Sequence, residues 1–501
     1  MGRAYRGAPM RKRKAGNALR VRRAPLCPSS RDLGVLVPCL VVAIYAWLLQ
    51  DTTILGDTDT YWHVAAGNWI LDHHAIPYTD PFAFPTLGRP WVAHEWLAEI
   101  LMALVFHAGG WAGLIAMSAA TSTLSIGIFA HYLQRWLDPV PAYVLLMLTI
   151  VSMAPIVLAR PHILTMPIMT FWVAKLVTAR EAGRPPPLPL ALLMVPWANM
   201  HGGFLSGMAF AGFFAGEAVL AARVDWLKAG MAWSPFLLAS AAAMLMTPHG
   251  FEGILFPIQL LRMPALLGIT EWQPPNFHNI EAIELIIVTA LVLGWTWTIR
   301  LPWTRVLFFL LLIHSALRHT RFQVQLALVG FLALAPMLGT ALNDGRAEAN
   351  APPRLARRRI ALLACAAILV LTVVRIAVHH EKPNGGSSPL QALAAVPESV
   401  RRLPVFNYYY FGGFLIFHGV RPFVDGRADL FGDTFLTDYI NVINIDPVTM
   451  ERVFRQYDIA WTMLAPGMPL SRLMDRLPGW TRVHADGFAV VHIRTDMSIA
   501  N

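Results

Sequence analysis

The sequence has little charge and little cysteine. Asp, Glu, Lys and Arg make up 14% of the 501 residues, whereas apolar residues make up 56%. A chain of this composition is typical of a polytopic membrane protein. Of the three cysteines, Cys27 lies in a basic tail, and Cys39 and Cys365 lie inside apolar runs. The sequence therefore predicts no disulfide framework and no cysteine-based metal site.

The common short motifs of nucleotide and hydrolase chemistry are also missing. The sequence contains no Walker loop, no dinucleotide fingerprint, no HExxH and no nucleophile elbow. These absences argue against ATP-driven transport, soluble nucleotide-sugar binding and zinc proteolysis.

Apolar runs of membrane-spanning length recur along most of the chain. Eleven are expected to cross the membrane, at about residues 33–50, 111–136, 141–158, 163–177, 187–200, 204–222, 230–246, 283–299, 303–317, 322–342 and 360–378. The run 97–106 is too short to cross, so it is predicted to lie at the membrane interface.

The distribution of charge predicts the orientation of these spans in the membrane. The first 31 residues hold ten Lys and Arg and no acidic residue, which predicts that the amino end stays in the cytoplasm. No small-residue cleavage site follows, so this segment is interpreted as a retained anchor. The net charge of +10 is accordingly no signal for nucleic acid. With eleven spans, the basic connections are cytoplasmic and the unusual polar motifs share the external face.

Four regions are expected from these patterns. They are a basic cytoplasmic tail (1–32), a transmembrane domain (33–379) whose first external loop is 51–110, a linker (380–389) and a soluble external domain (390–501). In the last region, strands are predicted at Val405–Tyr410, Phe414–Phe417, Ile459–Leu464 and Phe488–Ile493, with helices at Asp446–Tyr457 and Leu470–Leu477. This order predicts a small α/β or α+β domain.

The first external loop concentrates ionisable and aromatic residues, which are costly to desolvate beside a bilayer. Asp57 and Asp59 stand at the start of a predicted helix, Thr60–Leu71, and His63 is one turn after Asp59. A carboxylate here could deprotonate a hydroxyl, with His63 orienting it. The alternative is helix capping, although two carboxylates exceed what one cap needs.

Further candidates follow in the same loop. His94 and Glu95 begin a second predicted helix, His94–Phe106, where Glu95 could be an acid or base, a metal ligand, a substrate contact or only a helix-end charge. Trp62 and Asp80 are candidate substrate contacts, and the alternative for Asp80 is a turn before Pro81.

Two basic clusters lie at external span ends, where the positive-inside rule disfavours them. Arg160 and His162 form one, and Arg318 and Arg321 form the other. Guanidinium groups suit phosphate oxygens, so these residues are candidate phosphate ligands. The alternative is that they extend to the membrane interface.

Later loops add weaker signals. His201 follows an Asn-Met pair at a hairpin tip, and Glu271 with Trp272 pairs an acid with a large aromatic, as sugar sites often do. In the soluble domain, Asp425, Arg427 and Asp429 alternate as on one face of a strand, and an ion-pair network is the favoured interpretation over glycan recognition.

The order of these motifs resembles the GT-C superfamily of integral membrane glycosyltransferases, which includes protein O-mannosyltransferases and the aminoarabinose transferases of lipid A. The likeness covers most of residues 33–494, and an uncharacterised bacterial branch is the most similar. It rests on Asp57, Asp59, Trp62, His63, Gly67, Thr79–Phe82, Trp91 and His94–Leu97. In this chain Thr58 separates two acids that are adjacent in the characterised members, so either aspartate could take the base role.

The resemblance implies an all-α GT-C-like membrane fold with interfacial helices and a small external α/β domain. It further implies sugar transfer from a polyprenyl-phosphate donor to a lipid, glycan or protein acceptor at the periplasmic face of a bacterial inner membrane. Asp57, Asp59, His63 and Glu95 are the expected catalytic residues. A divalent metal, Mg²⁺ or Mn²⁺, on Asp57, Asp59 and Glu95 is left open.

Two other functions are compatible with the same features. A lipid or glycan carrier would place charges in mid-span and break helices on both sides of the membrane. A non-catalytic envelope assembly protein would tolerate substitution of Asp57, Asp59 and Glu95.

Overall fold

The structure, a computed structural model, describes residues 30–263, 270–343, 354–378 and 381–496. Most of the predicted basic tail, and His380 of the predicted linker, lie outside the described residues. The described chain is mainly helical, with one small sheet near its carboxyl end. This architecture confirms the predicted fold class.

Fourteen helices precede the sheet-containing region in the described ranges. They are α1 (Ser30–Leu48), α2 (Asp59–His73), α3 (Trp96–Leu133), α4 (Pro139–Met153), α5 (Pro161–Glu181), α6 (Met194–Met200), α7 (Phe204–Ala221), α8 (Trp226–Met244), α9 (Phe251–Leu260), α10 (Ala282–Thr296), α11 (Trp303–Arg318), α12 (Gln323–Gln325), α13 (Phe331–Leu342) and α14 (Arg354–Ala377). A π-helical turn at Leu326–Gly330 joins α12 to α13.

Each of the eleven predicted apolar runs is mostly helical where the structure describes it. Six helical segments of the described residues are long and apolar enough to cross a membrane, judged by length and composition: Trp96–Leu133, Pro139–Ile156, Pro161–Glu181, Phe204–Ala221, Thr320–Leu342 and Arg358–Ala377. The count of eleven crossings stays a prediction.

The predicted interfacial run and the predicted span that follows it meet at a sharp break inside α3. Gly110 has φ 56° and ψ −146°, a conformation that glycine adopts more readily than other residues. The part of α3 before Gly110 packs along α2, where Gly67 allows close approach. A Cβ at Gly67 would overlap the carbonyl oxygen of Glu99. This contact fixes α2 against the start of α3, and so positions the first loop.

The C-terminal domain is a mixed sheet with surrounding helices. Its elements are α15 (Leu390–Ala394), α16 (Glu398–Arg401), β1 (Val405–Asn407), α17 (Gly412–Phe417), α18 (Ala428–Ile443), α19 (Pro447–Gln456), β2 (Trp461–Leu464), α20 (Pro469–Met474), β3 (Trp480–Ala485) and β4 (Val490–Arg494). The strand order is β1-β2-β4-β3. β1 and β2 are parallel, with Val405 opposite Trp461, and the other pairs are antiparallel.

One sequence prediction in this domain is wrong, and one strand was not predicted. Phe414–Phe417, predicted as a strand, lies in α17, because a short buried apolar run has no periodicity that separates helix from strand. Strand β3 was not predicted, since it is a largely exposed edge strand with little apolar pattern.

The core of the C-terminal domain is shared with the first loop. On one side of the sheet, Tyr61 of α2 packs with Phe414 and Trp461. On the other side, Ala83 of the loop packs with Phe406 and Phe423. The domain therefore sits directly on the loop that carries the candidate acids.

Candidate active site

The two aspartates at the start of α2 have different roles in the structure. The Oδ1 atom of Asp57 accepts the backbone N–H of Asp59 at 2.7 Å, so Asp57 satisfies the first amide of the helix although Thr58 is the N-cap residue. Asp59 is the first residue of α2, and its side chain points to the guanidinium of Arg160. Binding the helix amide thus occupies one carboxylate oxygen of Asp57, whereas Asp59 has no such role and is available for chemistry.

Arg160 joins three carboxylates. Its Nη2 lies 2.9 Å from Asp59 Oδ2, and its Nη1 lies 3.2 Å from Asp57 Oδ2 and 3.3 Å from Glu271 Oε2. Arg160 has this position because it directly precedes Pro161, which begins α5. The tertiary structure thereby brings a predicted phosphate ligand into contact with the predicted catalytic acids.

A second arginine extends this network. Nη1 of Arg321 lies 3.4 Å from Glu271 Oε1, and its guanidinium carbon lies 4.4 Å from the centre of the Trp272 ring. The backbone N–H of Thr320 donates to the carbonyl of Gln273 at 3.0 Å, which ties the two loops together. Glu271, Trp272 and Arg321, predicted separately, therefore form one wall of the site.

Opposing effects set the charge of these acids. Burial raises the pKa of Asp59 to about 7, although Arg160 opposes the shift. Burial would raise the pKa of Glu271 too, but Arg160 and Arg321 hold it below its usual value. Asp59 is thus the acid in this pair that can exchange a proton near neutral pH.

Glu95 is the centre of a neighbouring cluster of histidines. Its carboxylate oxygens lie 3.9 Å from His63 Nδ1, 3.7 Å from His94 Nε2 and 4.0 Å from His201 Nε2. Burial raises the pKa of Glu95 to about 7, against Arg160 and Arg321. Burial also lowers the pKa of all three histidines, which keeps them neutral at pH 7.

His63 does not orient Asp59 as its spacing suggested. Its Nδ1 lies 3.4 Å from Oε1 of the buried Glu99, and no hydrogen bond joins it to Asp59 among the described residues. Glu99 is one helical turn after Glu95, so its register in the predicted interfacial helix was a usable signal.

Two of the predicted phosphate ligands are less directly placed. Nε2 of His162 pairs with the carbonyl of Ile156 at 2.9 Å, while its ring lies 6.1 Å from that of His201. Arg318 is exposed at the end of α11, and the described residues offer it no ion pair. Arg160 and Arg321 are accordingly the arginines that the fold brings to the acids.

Asp80, a predicted substrate contact, lies outside the site and is fully enclosed. Its oxygens accept from the backbone of Phe82 and Ala83 and from the Thr86 hydroxyl, and one pairs with Arg427 Nη1 at 2.7 Å. With its acceptors occupied, Asp80 stabilises the loop, in agreement with the turn interpretation.

Arg427 also carries the predicted ion-pair network of the C-terminal domain. Its Nη2 lies 2.6 Å from Asp425 Oδ2, and both side chains are buried. The segment is the loop leading into α18 rather than a strand, and Asp429 makes no ion pair there in the described structure. Through Asp80, Arg427 fastens the C-terminal domain to the first loop.

The C-terminal domain reaches the acids themselves. A Cβ on Gly426 would overlap Oδ1 of Asp59 and come within 3.1 Å of Trp62 Nε1. Trp62 is buried beside His63, with ring centres 3.7 Å apart. Gly426 therefore packs directly against Asp59, a contact that the sequence did not predict.

Lys382 is a further cation near the acids that was assigned only to the linker. Its Nζ lies 4.2 Å from the Tyr61 ring centre and 5.4 Å from that of Trp111, with no hydrogen-bond partner among the described residues. Burial lowers its pKa to about 8, although Asp57 raises it. A buried ammonium without a hydrogen bond is suited to an anionic ligand.

The open metal hypothesis finds no support in these positions. Among the described residues, no group of three or more His, Cys, Asp or Glu side chains is arranged to hold a metal ion. The oxygens of Asp57 and Asp59 are directed to Arg160 and to the helix amide instead.

The chain as a whole is similar to solved structures only at low sequence identity. No protein-family model and no curated protein matches the chain. The apo oligosaccharyltransferase of Archaeoglobus fulgidus is 12% identical, over 86% of this chain and 69% of its own, with a TM-score of 0.47.

Two structures of ArnT from Cupriavidus metallidurans are also similar. They are 16% identical with undecaprenyl phosphate bound and 14% identical in the apo state, each over 91% of this chain and 97% of ArnT, with TM-scores of 0.46 and 0.48. The resemblance to the GT-C superfamily therefore stays a prediction from the sequence. At this similarity no residue inherits a role, and the chemistry below follows from the site's own geometry.

Proposed function

We propose that the chain is a membrane glycosyltransferase that moves a sugar from a polyprenyl-phosphate donor to an acceptor at the external face. The observation that carries this proposal is the network of Asp59, Arg160, Glu271 and Arg321, which sets a titratable acid beside two guanidinium groups. Sugar transfer from a phosphate needs both parts, a base for the acceptor and cations for the leaving group.

The reaction follows from this placement. Asp59 takes the proton of an acceptor hydroxyl, and the hydroxyl oxygen forms a bond to the anomeric carbon. The bond from that carbon to the phosphate oxygen breaks, and the electron pair leaves with the polyprenyl phosphate. Inversion at the anomeric carbon is expected from the family resemblance.

The arginines stabilise the leaving phosphate. Arg160 and Arg321 now share Glu271, so phosphate would compete with that carboxylate for both guanidinium groups. Lys382 offers a third positive charge on the side of Asp57. An external site lacks nucleotide sugars, which makes a membrane-held donor chemically sensible, and one of the ArnT structures contains undecaprenyl phosphate.

The carrier hypothesis gains no comparable support. A second buried ion-pair cluster does join Glu217 of α7 to Arg305 of α11, at 2.6 Å. Arg305 is also bound to Glu181 and to the carbonyl of Ala333, and Glu217 to Arg180 and Thr304. A network that satisfies itself in this way stabilises the helices and leaves no free charge for cargo.

Turnover in proteoliposomes tests the proposal. Purified protein is given polyprenyl-phosphate sugars, and release of polyprenyl phosphate is measured for the wild type and for the Asp57→Asn, Asp59→Asn double variant. The control is Asp72→Asn, which changes an exposed aspartate near the end of the same helix. Release by the wild type and the control alone supports the mechanism, whereas an active double variant overturns it.

A further inference from the structure

The cluster around Glu95 has no part in the proposed reaction, yet its polar atoms converge on one point. Oε1 of Glu95 lies 3.7 Å from His94 Nε2 and 4.0 Å from His201 Nε2. These separations are longer than a hydrogen bond, which joins such atoms at about 2.7–3.2 Å. The His94 and His201 side chains are 21% and 20% exposed, so the atoms face a gap that a ligand can reach.

Two hydrogen bonds fix this arrangement. The indole N–H of Trp96, the residue after Glu95, donates to Asn199 Oδ1 at 2.8 Å, and the Asn199 amide donates to the carbonyl of Met246 at 2.9 Å. The end of α6, where His201 lies, is thereby held against the start of α3, where Glu95 lies. The gap is thus set by packed backbone segments.

A backbone contact determines which nitrogen of His201 carries the proton. The backbone N–H of Gly203 donates to His201 Nδ1 at 3.1 Å. A Cβ at Gly203 would come within 3.0 Å of this nitrogen, so a side chain here would crowd the contact. Since Nδ1 accepts and burial keeps the ring neutral by lowering its pKa, the hydrogen is on Nε2, the nitrogen nearest Glu95.

His94 has the opposite tautomer. Its Nδ1 lies 3.4 Å from the carbonyl oxygen of Val92, which can only accept a hydrogen bond. Nδ1 therefore carries the hydrogen, and the nitrogen nearest Glu95, Nε2, is an acceptor in the neutral ring. His94 and His201 thus present one acceptor and one donor beside the same carboxylate oxygen.

A hydroxyl group matches this pair of nitrogens. Its oxygen accepts from His201 Nε2 while its hydrogen is donated to His94 Nε2, and Glu95 remains beside it as a further acceptor. An ammonium group cannot accept from His201, and a carboxylate cannot donate to His94. A group that both donates and accepts is therefore the ligand that satisfies both rings.

The gap lies beside the proposed phosphate ligands. The His201 ring is 6.1 Å from that of His162, which is two residues after Arg160. Arg160 and Arg321 both oppose the rise in the pKa of Glu95, so both guanidinium groups act on its carboxylate. A sugar ring on a phosphate held by these arginines therefore has the gap within its reach.

We propose that Glu95, His94 and His201 form a subsite for one ring hydroxyl of the donor sugar. The inference rests on the proposed function for the identity of the donor. It assigns the three residues to sugar recognition, separate from the groups that handle the bonds that form and break.

Binding in detergent tests the subsite without turnover. Isothermal titration calorimetry gives the Kd of farnesyl phosphate and of farnesyl phosphates that carry glucose, mannose, galactose or arabinose. The Kd of farnesyl phosphate divided by that of a conjugate is the sugar advantage of that conjugate. At least one conjugate is expected to show an advantage of about 25-fold, because two hydrogen bonds contribute about fivefold each.

Paired variants separate recognition from folding. His201→Asn keeps an acceptor for the Gly203 N–H but has no equivalent of Nε2, so it should lower the sugar advantage about fivefold and leave the Kd of farnesyl phosphate unchanged. His201→Gln carries an amide N–H near the Nε2 position and should recover most of the advantage. His94→Asn and His94→Gln should behave in the same way. The control His278→Asn, an exposed histidine in the loop before α10, should change neither Kd.

Conjugates that lack one ring hydroxyl identify the group that binds. One of them should bind about 25-fold more weakly than its parent in the wild type and about fivefold more weakly in His201→Asn. In the His94→Asn, His201→Asn double variant it should bind as well as its parent, because both partners are gone.

Two results overturn the proposal. One is a sugar advantage that both Asn variants retain, or that no single hydroxyl accounts for. The other is an affinity for octyl glucoside that depends on His201 while the affinities of the conjugates do not, which would assign the hydroxyl to an acceptor.

The binding result is independent of the transfer reaction. A sugar advantage that His201→Asn lowers, in a protein that releases no polyprenyl phosphate in proteoliposomes, would refute the reaction and retain the subsite. Release of polyprenyl phosphate with a sugar advantage that both Asn variants retain would keep the reaction and refute the subsite.

Discussion

Gly426→Ala tests whether the C-terminal domain is part of the active site. The new Cβ would overlap Oδ1 of Asp59 and lie 3.1 Å from Trp62 Nε1. Gly426 has no positive φ, so the substitution introduces steric overlap without backbone strain. Asp59 cannot simply rotate away, because its other oxygen is held by Arg160 at 2.9 Å. Either the carboxylate or the loop of the C-terminal domain must move.

The size of the effect follows from this overlap. Overpacking of one methyl group costs about 1–3 kcal/mol, which a domain with its own core can absorb. A displacement of about 1 Å at a reacting group can lower the rate about 100-fold. We therefore expect a folded protein whose turnover falls by about two orders of magnitude, with little change in donor affinity.

Release of polyprenyl phosphate in proteoliposomes is the assay, with thermal unfolding in detergent as the test of folding. The matched control is Gly487→Ala in the same domain, where a Cβ would meet nothing within 4 Å. Wild-type turnover in a Gly426→Ala protein would show that the loop moves without consequence, and would refute the argument that it positions Asp59.

Three other predictions concern pH, stability and donor binding. The pKa of Asp59 is raised to about 7, and a base must be unprotonated, so turnover should increase through pH 7 and level off above it. A turnover rate that does not change from pH 5 to 8 would contradict this prediction. Arg427→Met should lower the free energy of unfolding in detergent by about 3–5 kcal/mol, since it leaves Asp80 and Asp425 buried without their partner. Arg427→Lys should recover part of that stability. A loss of less than about 1 kcal/mol in Arg427→Met would contradict the prediction. Lys382→Met should raise the KM for the donor about tenfold with little change in kcat, because one charge-assisted phosphate contact is lost. Lys382→Arg keeps the charge and should stay near the wild-type KM. An unchanged KM in Lys382→Met would show that Lys382 does not contact the donor.

The sequence by itself determined the class of protein and the position of its polar loop. Apolar runs of spanning length need no tertiary information, because the bilayer imposes both their length and their composition. The residues 97–106 and 111–136 were predicted from local pattern as two separate segments, and in the structure α3 breaks between them at Gly110. The concentration of acids after the first span was equally a local signal, since charge beside a membrane is costly wherever the helices later pack.

Tertiary structure alone decided which of these groups meet. Asp59 is 101 residues before Arg160, and Arg160 is 111 residues before Glu271. Their contacts exist because three separate segments end at the same side of the helices. The same applies to Asp80, whose partner Arg427 is 347 residues away, so that a predicted substrate contact became a buried support. Sequence spacing determines only neighbours on one helix or strand, whereas long-range pairs depend on how whole elements pack. For this reason the contact between Gly426 and Asp59 and the burial of Lys382 against Tyr61 became visible only in the folded chain.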